Sequence, residues 1–254
     1  MFSNIRYVLL TATRDRLFLG LLVGIAVAAY ISSVLGSTAM IETEQMTLAF
    51  TAAAARVIIM VGVIVFIGFH MRNAFDAREI DVLLSRPISR TTLVLSYWIG
   101  FATVATCLVL PTVVMVALIG TLNQTGFWVW SVSLLLESWL VVSIALFASL
   151  TIKSGVGTVL SSLAIYVLSR MMGFFLATTA TTSIFKDHTI NLGTQWVMKG
   201  ISLVVPRLDF YAKSNWLIYG AKSYEDVNLF VIQSAIFIPL LVAASVIDFK
   251  RKQF

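Results

Sequence analysis

The sequence predicts an all-α integral membrane protein with six transmembrane helices. Of its 254 residues, 59% are hydrophobic and only 12% are charged, whereas a soluble domain carries roughly 25% charged residues. The apolar residues occur in runs long enough to cross a bilayer as helices, and the short alternating segments typical of a transmembrane barrel are absent from the sequence. No linker, low-complexity tract or internal repeat divides the chain, so residues 1–254 are predicted to form a single transmembrane domain.

The apolar runs define the individual spans. We predict them at about 17–35, 49–69, 93–119, 128–150, 156–177 and 229–247. Pro111 is expected to kink the third span, and Trp128 and Trp130 place the start of the fourth at a membrane interface. The first run also resembles a cleavable signal peptide, but its length of about 19 residues exceeds the roughly 7–15 of a signal. An uncleaved span is the preferred interpretation.

The basic residues predict the orientation of the spans. The net charge is +6, and Lys and Arg concentrate on the cytoplasmic side of membrane proteins, so topology accounts for this excess better than nucleic-acid binding does. Residues 250–252 are all basic and follow the last span closely, whereas loop 36–48 holds Glu42 and Glu44 and no basic residue. Six spans with both termini cytoplasmic agree with the short loops. The span count then places region 178–228 outside, although it contains four lysines and one arginine.

Two further segments are predicted to lie at the membrane surfaces. Residues 1–16 are too polar to cross the bilayer but align Ile5, Val8, Leu9 and Ala12 on one helical face, which favours an amphipathic helix at the cytoplasmic surface. Within region 178–228, residues 193–205 form a second amphipathic segment that Pro206 ends. The aromatic residues that follow it are typical of an outer membrane–water interface; they are Phe210, Tyr211, Trp216, Tyr219 and Tyr224. A capping loop and a substrate-exit element both remain possible for this region.

The chain carries no sequence motif of an enzyme or of a nucleotide-binding domain. No G-x-x-x-x-G-K-[ST] phosphate loop is present, and no H-E-x-x-H or paired-cysteine metal set is present. His70 and His188 have no identifiable catalytic partner, and Cys107 lies inside an apolar run. We therefore expect no catalysis and no metal or other cofactor in this chain.

Three ionisable residues interrupt the predicted spans, namely Arg56, Glu137 and Arg170. Such residues are costly in a bilayer and usually face a bundle interior, a partner or water. At about 1.5 Å per helical residue, Arg56 and Glu137 lie roughly 12–14 Å below the outer surface and Arg170 lies somewhat shallower, so all three could meet. One interpretation is a polar cluster that lines a translocation path. The other is a structural ion pair such as Glu137 with Arg170.

A charged segment, residues 70–92, separates the second and third spans. Its charged residues are Arg72, Asp76, Arg78, Glu79, Asp81, Arg86 and Arg90. Apolar residues at helical spacing, Ile80, Leu83 and Leu84, accompany them. A compact polar segment of this kind is predicted to contact something outside the membrane.

Residues 79–90, EIDVLLSRPISR, resemble the corresponding loop of ABC-2 type transporter permeases. That family shows an acidic residue, a Leu-Leu pair and then Pro-hydrophobic-Ser-Arg before the third span; the matching residues here are Glu79, Leu83, Leu84, Pro87, Ile88, Ser89 and Arg90. Pro87 is suited to end a short helix and Ser89 to cap the next one. The sequence departs from the family at Ile80, where a glycine is usual, and at Tyr97-Trp98, where a lysine is frequent.

The resemblance covers the whole chain and implies a function. It implies the architecture of a type V exporter in a bacterial inner (plasma) membrane, with two copies of a separate ATPase that bind ATP and Mg²⁺ and a second, identical or different permease subunit. The loop that docks into the ATPase would comprise Arg78, Glu79, Asp81, Leu83, Leu84, Arg86, Pro87, Ser89 and Arg90. The exported substrate would be hydrophobic or amphipathic, such as a lipid, drug, peptide or envelope-maturation factor. The alternative is a membrane scaffold that tethers or regulates an ATPase or an envelope enzyme; an intramembrane enzyme is disfavoured.

Overall fold

A computed structural model of the chain describes residues 7–12, 16–37, 43–80, 89–119, 124–181, 188–211, 213–220 and 224–251. These residues are almost entirely helical and form no strand. Six of the helices are long and apolar enough to cross a bilayer. The prediction of an all-α, multi-pass membrane protein is therefore confirmed.

The six long helices contain the six predicted spans. They are α1 (Arg16–Ser37), α2 (Thr43–Asp76), α3 (Arg90–Ile119), α4 (Gln124–Thr151), α5 (Gly155–Thr181) and α8 (Tyr224–Arg251). Between α5 and α8 lie α6 (His188–Val204), a 3₁₀ helix (Leu208–Tyr211) and α7 (Asn215–Tyr219). A short helical segment at residues 7–12 precedes α1. Pro111 lies within α3, which continues beyond it.

The helix α2 is longer than the predicted span at both ends. It is 34 residues long, so it takes in the second half of the predicted loop 36–48 and the first residues of the charged segment. An ion pair between Arg72 and Asp76 at 2.6 Å, one helical turn apart, supports the extension into the charged segment. The apolar run marks only the part of a helix that lies in hydrocarbon, so polar residues that continue the helix beyond it escape detection. For the same reason α4 begins at Gln124, inside the loop predicted at 120–127.

The helices α2 and α4 form the centre of the bundle. Their most apolar windows are 61% and 72% buried, against 11% for α1 and 22% for α8. The other spans surround this pair: α1, α3 and α5 pack on α2, while α3, α5 and α8 pack on α4. Small residues permit these approaches, since a Cβ at Gly62 of α2 would collide with the side chain of Leu21 on α1. Any polar group on the facing sides of α2 and α4 is therefore removed from lipid.

Region 178–228 is partly packed into the bundle. As predicted, the amphipathic helix α6 ends before Pro206 and leaves Trp196 and Val197 exposed. Tyr211 and Trp216, by contrast, are buried against Phe230 of α8, with ring centroids 5.5 and 5.8 Å away. These two aromatic residues were expected at the membrane–water interface, and that prediction is wrong for them. The Tyr211 hydroxyl donates to the carbonyl oxygen of Phe230 at 3.0 Å, which satisfies its polar tip inside the bundle.

Candidate functional site

The three ionisable residues of the spans meet in one cluster. Arg56 of α2 donates from Nη1 to Glu137 Oε2 of α4, and Arg170 of α5 donates from Nη1 to Glu137 Oε1 at 2.9 Å. Each oxygen of the Glu137 carboxylate therefore binds a different guanidinium. The side chains of Arg56 and Glu137 are 1% and 0% exposed, and that of Arg170 is 25% exposed. We call these three residues the buried charge cluster.

The position of Arg56 follows from the pairing of α2 with α4. Three residues of α4 at helical spacing, Trp130, Ser133 and Glu137, share the face that Arg56 meets. Arg56 donates from Nη2 to Ser133 Oγ at 3.1 Å, and its Cζ lies 5.5 Å from the centroid of the Trp130 ring. A cation over the face of an indole ring is stabilised by the charge distribution of the ring. The guanidinium is therefore held by an ion pair, a hydroxyl and an aromatic face together.

The cluster combines features of both interpretations made from the sequence. An ion pair between Glu137 and Arg170 is present, but Arg56 shares the same carboxylate, so the arrangement is a triad rather than a pair. Because Arg56 and Glu137 are closed off from solvent, they do not line an open path in this conformation. Two guanidinium groups and one carboxylate leave the cluster with one excess positive charge.

Several polar atoms around the cluster have no hydrogen-bond partner within the described part of the chain. These atoms are Arg56 Nε, Trp130 Nε1, Tyr166 OH and Ser169 Oγ. Tyr166 lies one turn before Arg170 on α5 and is 5% exposed. An unsatisfied buried polar group costs about 1–3 kcal/mol, so this part of the bundle is suited to hold water or a polar ligand group. Trp130 was predicted at a membrane interface, and that prediction is wrong because the residue is fully buried beside Arg56. Sequence reasoning missed Ser133 and Tyr166, although their helical spacing from Glu137 and Arg170 was a usable signal.

A second ion pair lies beside the cluster. Arg207, just before the 3₁₀ helix, and Asp209, within it, form a salt bridge of 2.7 Å. The Asp209 carboxylate packs against Gly173 of α5, where any Cβ would collide with it. Gly173 lies about one turn beyond Arg170. This second pair is neutral, so it does not balance the excess charge of the cluster.

The charged segment between α2 and α3 is described only in part. The structure describes Arg78, Glu79, Ser89 and Arg90; the other predicted docking residues, Asp81, Leu83, Leu84, Arg86 and Pro87, lie outside the described residues. The hydroxyl of Tyr7 donates one bifurcated hydrogen bond to the carboxylate of Glu79, with oxygen–oxygen distances of 3.0 and 3.2 Å. Partial burial and this hydrogen bond raise the pKa of Tyr7, so the phenol is a neutral donor at pH 7. The charged segment is thereby tied to the N-terminal helical segment.

Arg78 has an unusual backbone conformation. Its φ is 55°, in the left-handed region that residues other than glycine rarely adopt. It follows the last turn of α2, where the amide of Ala77 bonds the carbonyl of Asn73 at 2.9 Å and that of Arg78 bonds the carbonyl of Phe75 at 3.1 Å. The turn redirects the chain sharply at the end of α2 and leaves the Arg78 side chain exposed. A strained residue of this kind is frequent at functional sites.

Ser89 and Arg90 begin α3 and join it to α8. Ser89 Oγ accepts a hydrogen bond from the amide of Thr92 at 3.1 Å, which is the N-cap predicted from the sequence. Arg90 donates from Nη1 to the carbonyl oxygens of Phe249 and Lys250 at 3.3 and 3.1 Å. A guanidinium at the last carbonyls of a helix satisfies acceptors that have no partner within the helix. Arg90, predicted to contact a partner, thus also fixes the end of α8.

These contacts gather several parts of the chain at one end of the bundle. Arg72 donates to the carbonyl of Lys153 in the turn between α4 and α5, and the His70 ring lies 6.2 Å from that of Tyr7. The N-terminal helical segment, the ends of α2, α4 and α8 and the starts of α3 and α5 are therefore neighbours. Sequence reasoning missed Tyr7, and it named Arg72 in the charged segment without predicting its contact with Lys153, because contacts between residues more than 70 positions apart leave no local pattern.

Neither a search for metal ligands among the described residues nor a comparison with known proteins identifies a further site. The described residues contain no group of three or more His, Cys, Asp or Glu side chains that could hold a metal ion. No protein-family model matches the chain, and no curated protein matches it. The resemblance of residues 79–90 to ABC-2 permeases therefore depends on those residues themselves.

Proposed function

We propose that the chain is the membrane-spanning permease subunit of an ATP-binding-cassette transporter of the ABC-2 class. It would export a hydrophobic or amphipathic substrate with energy from a separate ATPase. The observation that carries the proposal is the charged segment between α2 and α3, whose residues 79–90 match the family's loop. Glu79 and Arg90, at the two ends of that match, are both anchored in the chain, to Tyr7 and to the end of α8.

The clustering of chain segments supports a cytoplasmic location for this end of the bundle. The charged segment, Lys153 and the end of α8 with Lys250 and Arg251 all belong to it. Basic residues close to span ends favour the cytoplasmic side. Both termini of a chain with six spans would then be cytoplasmic, in a bacterial inner membrane. This is the side on which a cytoplasmic ATPase could dock.

The contacts of the charged segment suggest how ATP hydrolysis would act on the spans. Because the sequence has no phosphate loop, two copies of an ATPase subunit would bind ATP and Mg²⁺, and a second permease subunit would complete the transporter. Movement of the ATPase would shift the charged segment. Since Arg90 begins α3 and holds the end of α8, both helices would follow. Arg72 in the same segment donates to the carbonyl of Lys153 between α4 and α5, so α5 would move as well, and the buried charge cluster would open or tighten.

Replacing Glu79 by alanine is expected to reduce co-purification of the ATPase about tenfold without preventing membrane insertion. The reason is the loss of one charge-assisted contact, worth about 1.5–3 kcal/mol. Tyr7→Phe is the matched control, because it removes the same internal hydrogen bond and leaves the Glu79 carboxylate in place. The measurement is the ATPase recovered per permease after affinity purification, together with the ATPase sequence found in the eluate.

The two variants separate a direct contact from an indirect one. If Glu79 contacts the ATPase, Tyr7→Phe retains it and Glu79→Ala does not. Equal recovery from wild type and Glu79→Ala would contradict the assignment of Glu79 as a docking residue. Arg90 is less suited to this test because its replacement also releases α8.

ATPase activity that no amphipathic compound stimulates in the reconstituted complex would favour the scaffold over the exporter.

A further inference from the structure

The excess charge of the buried charge cluster has no counter-ion within the spans. Within the six membrane-spanning segments the acidic residues are Glu44, Asp76, Glu137 and Asp248. All except Glu137 lie near the ends of their helices. The nearby Asp209 is already paired with Arg207. One carboxylate therefore faces two guanidinium groups, which stay charged under ordinary conditions.

A second copy of the chain could not supply the missing negative charge. An identical subunit brings the same spans, in which Glu137 is the one carboxylate at this depth and is already bound by two arginines. Arg170 lies nine residues before Thr179, the end of its span, and hence about 13–14 Å along the helix from that end at 1.5 Å per residue. A charge at such a depth is costly unless it is paired. Since no further carboxylate of the described spans is available at this depth, we expect a molecule other than this chain to supply the counter-ion.

Arg170 lies at the border between the buried charge cluster and an exposed apolar surface. One of its nitrogens binds Glu137, whereas a quarter of its side-chain surface is exposed. Five of the exposed side chains of α5 form one helical stripe, namely Leu160, Ala164, Val167, Met171 and Phe174, and Ile165 and Leu168 widen the exposed apolar surface beside it. Val167 and Phe174 lie one turn before and one turn after Arg170. A guanidinium beside a continuous apolar stripe matches a molecule with an acidic head and a hydrocarbon tail.

We propose that Arg170 and the exposed stripe of α5 bind an acidic membrane lipid. Its phosphate, drawn below the plane of the surrounding headgroups to the depth of Arg170, accepts hydrogen bonds from the guanidinium N–H groups that Glu137 does not use, since arginine has five such donors and can bind a phosphate with two of them. An acyl chain lies along Val167 and Leu160. The lipid neutralises the excess charge of the buried charge cluster. This inference goes beyond the proposed function, because the membrane domain would bind the lipid whether or not an ATPase drives transport.

Lipid retention by the purified full-length chain tests the proposal. The protein is equilibrated with vesicles of equal parts phosphatidylglycerol and phosphatidylcholine carrying the same acyl chains, extracted in a neutral detergent, and analysed by native mass spectrometry. We expect wild type to retain phosphatidylglycerol about tenfold over phosphatidylcholine, because phosphatidylcholine has the same phosphate but carries its own ammonium charge and so does not neutralise the excess charge of the cluster. Arg170→Gln is expected to bring that preference to within about twofold. Equal retention of the two lipids by wild type would overturn the proposal.

Three controls distinguish this site from general attraction to basic residues. Lys199→Gln removes one positive charge from the exposed surface of α6 and is expected to leave the preference unchanged; a loss as large as that of Arg170→Gln would overturn the site. Leu160→Ala leaves the buried charge cluster intact and removes part of the apolar contact with the acyl chain, so it is expected to weaken phosphatidylglycerol retention about threefold and tests the site if Arg170→Gln fails to fold. An unchanged retention in Leu160→Ala would contradict the role of the stripe. Displacement of the lipid by millimolar inorganic phosphate would show a site for the free anion and overturn the lipid assignment.

Discussion

Glu137→Gln is expected to destabilise the membrane domain by about 3–5 kcal/mol, the cost of removing one partner of a buried ion pair. Glu137 is fully buried and binds Arg56 and Arg170 at once. Without its charge, two guanidinium groups would remain close together with no carboxylate between them. The expected result is a marked fall in the unfolding temperature of the purified protein in detergent. Glu44→Gln, at an exposed carboxylate in the first turn of α2, is the matched control and should change it little.

The triad of Arg56, Glu137 and Arg170 also predicts how stable double variants of these residues are. Exchanging the charges of Glu137 and Arg170 should not restore stability, because the new arginine at position 137 would face Arg56. Combining Arg56→Gln with Glu137→Gln should recover part of the loss, since that pair removes one charge of each sign from the interior. Full rescue by the exchange would show that Arg56 does not take part in the cluster. Coupling between the two positions is measured by the double-mutant cycle.

Gly126→Ala is expected to cost about 1–3 kcal/mol and to loosen α7 from the bundle, because the added methyl group overfills a packed interface. A Cβ at Gly126 would lie 2.7 Å from the carbonyl carbon of Trp216 and 2.9 Å from the Cα of Gly220. Both are backbone atoms, so no side-chain rotation relieves the collision. Gly220 ends α7 with a φ of 73°, which limits how far this turn can adjust.

Hydrogen exchange reports this effect locally. The amides of residues 213–220 should exchange faster in Gly126→Ala, while those in the middle of α2 keep their protection. Gly20→Ala is the control, since a Cβ at Gly20 of α1 meets nothing within 4 Å. Unchanged exchange at 213–220 together with an unchanged unfolding temperature would mean that α7 does not rest on α4 through Gly126.

The number and type of the helices could be predicted because a bilayer imposes a strict length and polarity on each span. Each predicted span lies within one long helix. The helix ends could not be predicted, as α2 shows: beyond the hydrocarbon its continuation depends on contacts such as the Arg72–Asp76 pair, which carry no apolar signal. The burial of Tyr211 and Trp216 was missed for a related reason. Aromatic residues suit both an interface and a packed core, and only the position of α8 decides between them.

The charged residues of the candidate site could be predicted, because burying a charge in a bilayer is energetically unfavourable. The uncharged residues around them could not be predicted, because they are common in membrane helices. Arg56, Glu137 and Arg170 stand out in the sequence because a charge within a span requires a partner. That Glu137 serves both arginines depends on how three helices pack, which the sequence does not reveal directly. The hydrogen bond from Tyr7 to Glu79 joins residues 72 positions apart, and a tyrosine near the start of a chain carries no distinguishing signal.

The length of α2 has a mechanical consequence. Its 34 residues extend over about 51 Å at 1.5 Å per residue, compared with about 30 Å for the hydrocarbon layer. An unbroken α-helix tilts as a rigid rod. A tilt of α2 about a point inside the bilayer would therefore move Asp76 at one end and Glu44 at the other in opposite directions. Arg56 lies between the two ends of α2 and binds Glu137 of α4. Such a tilt would therefore move the Arg56 guanidinium relative to the Glu137 carboxylate.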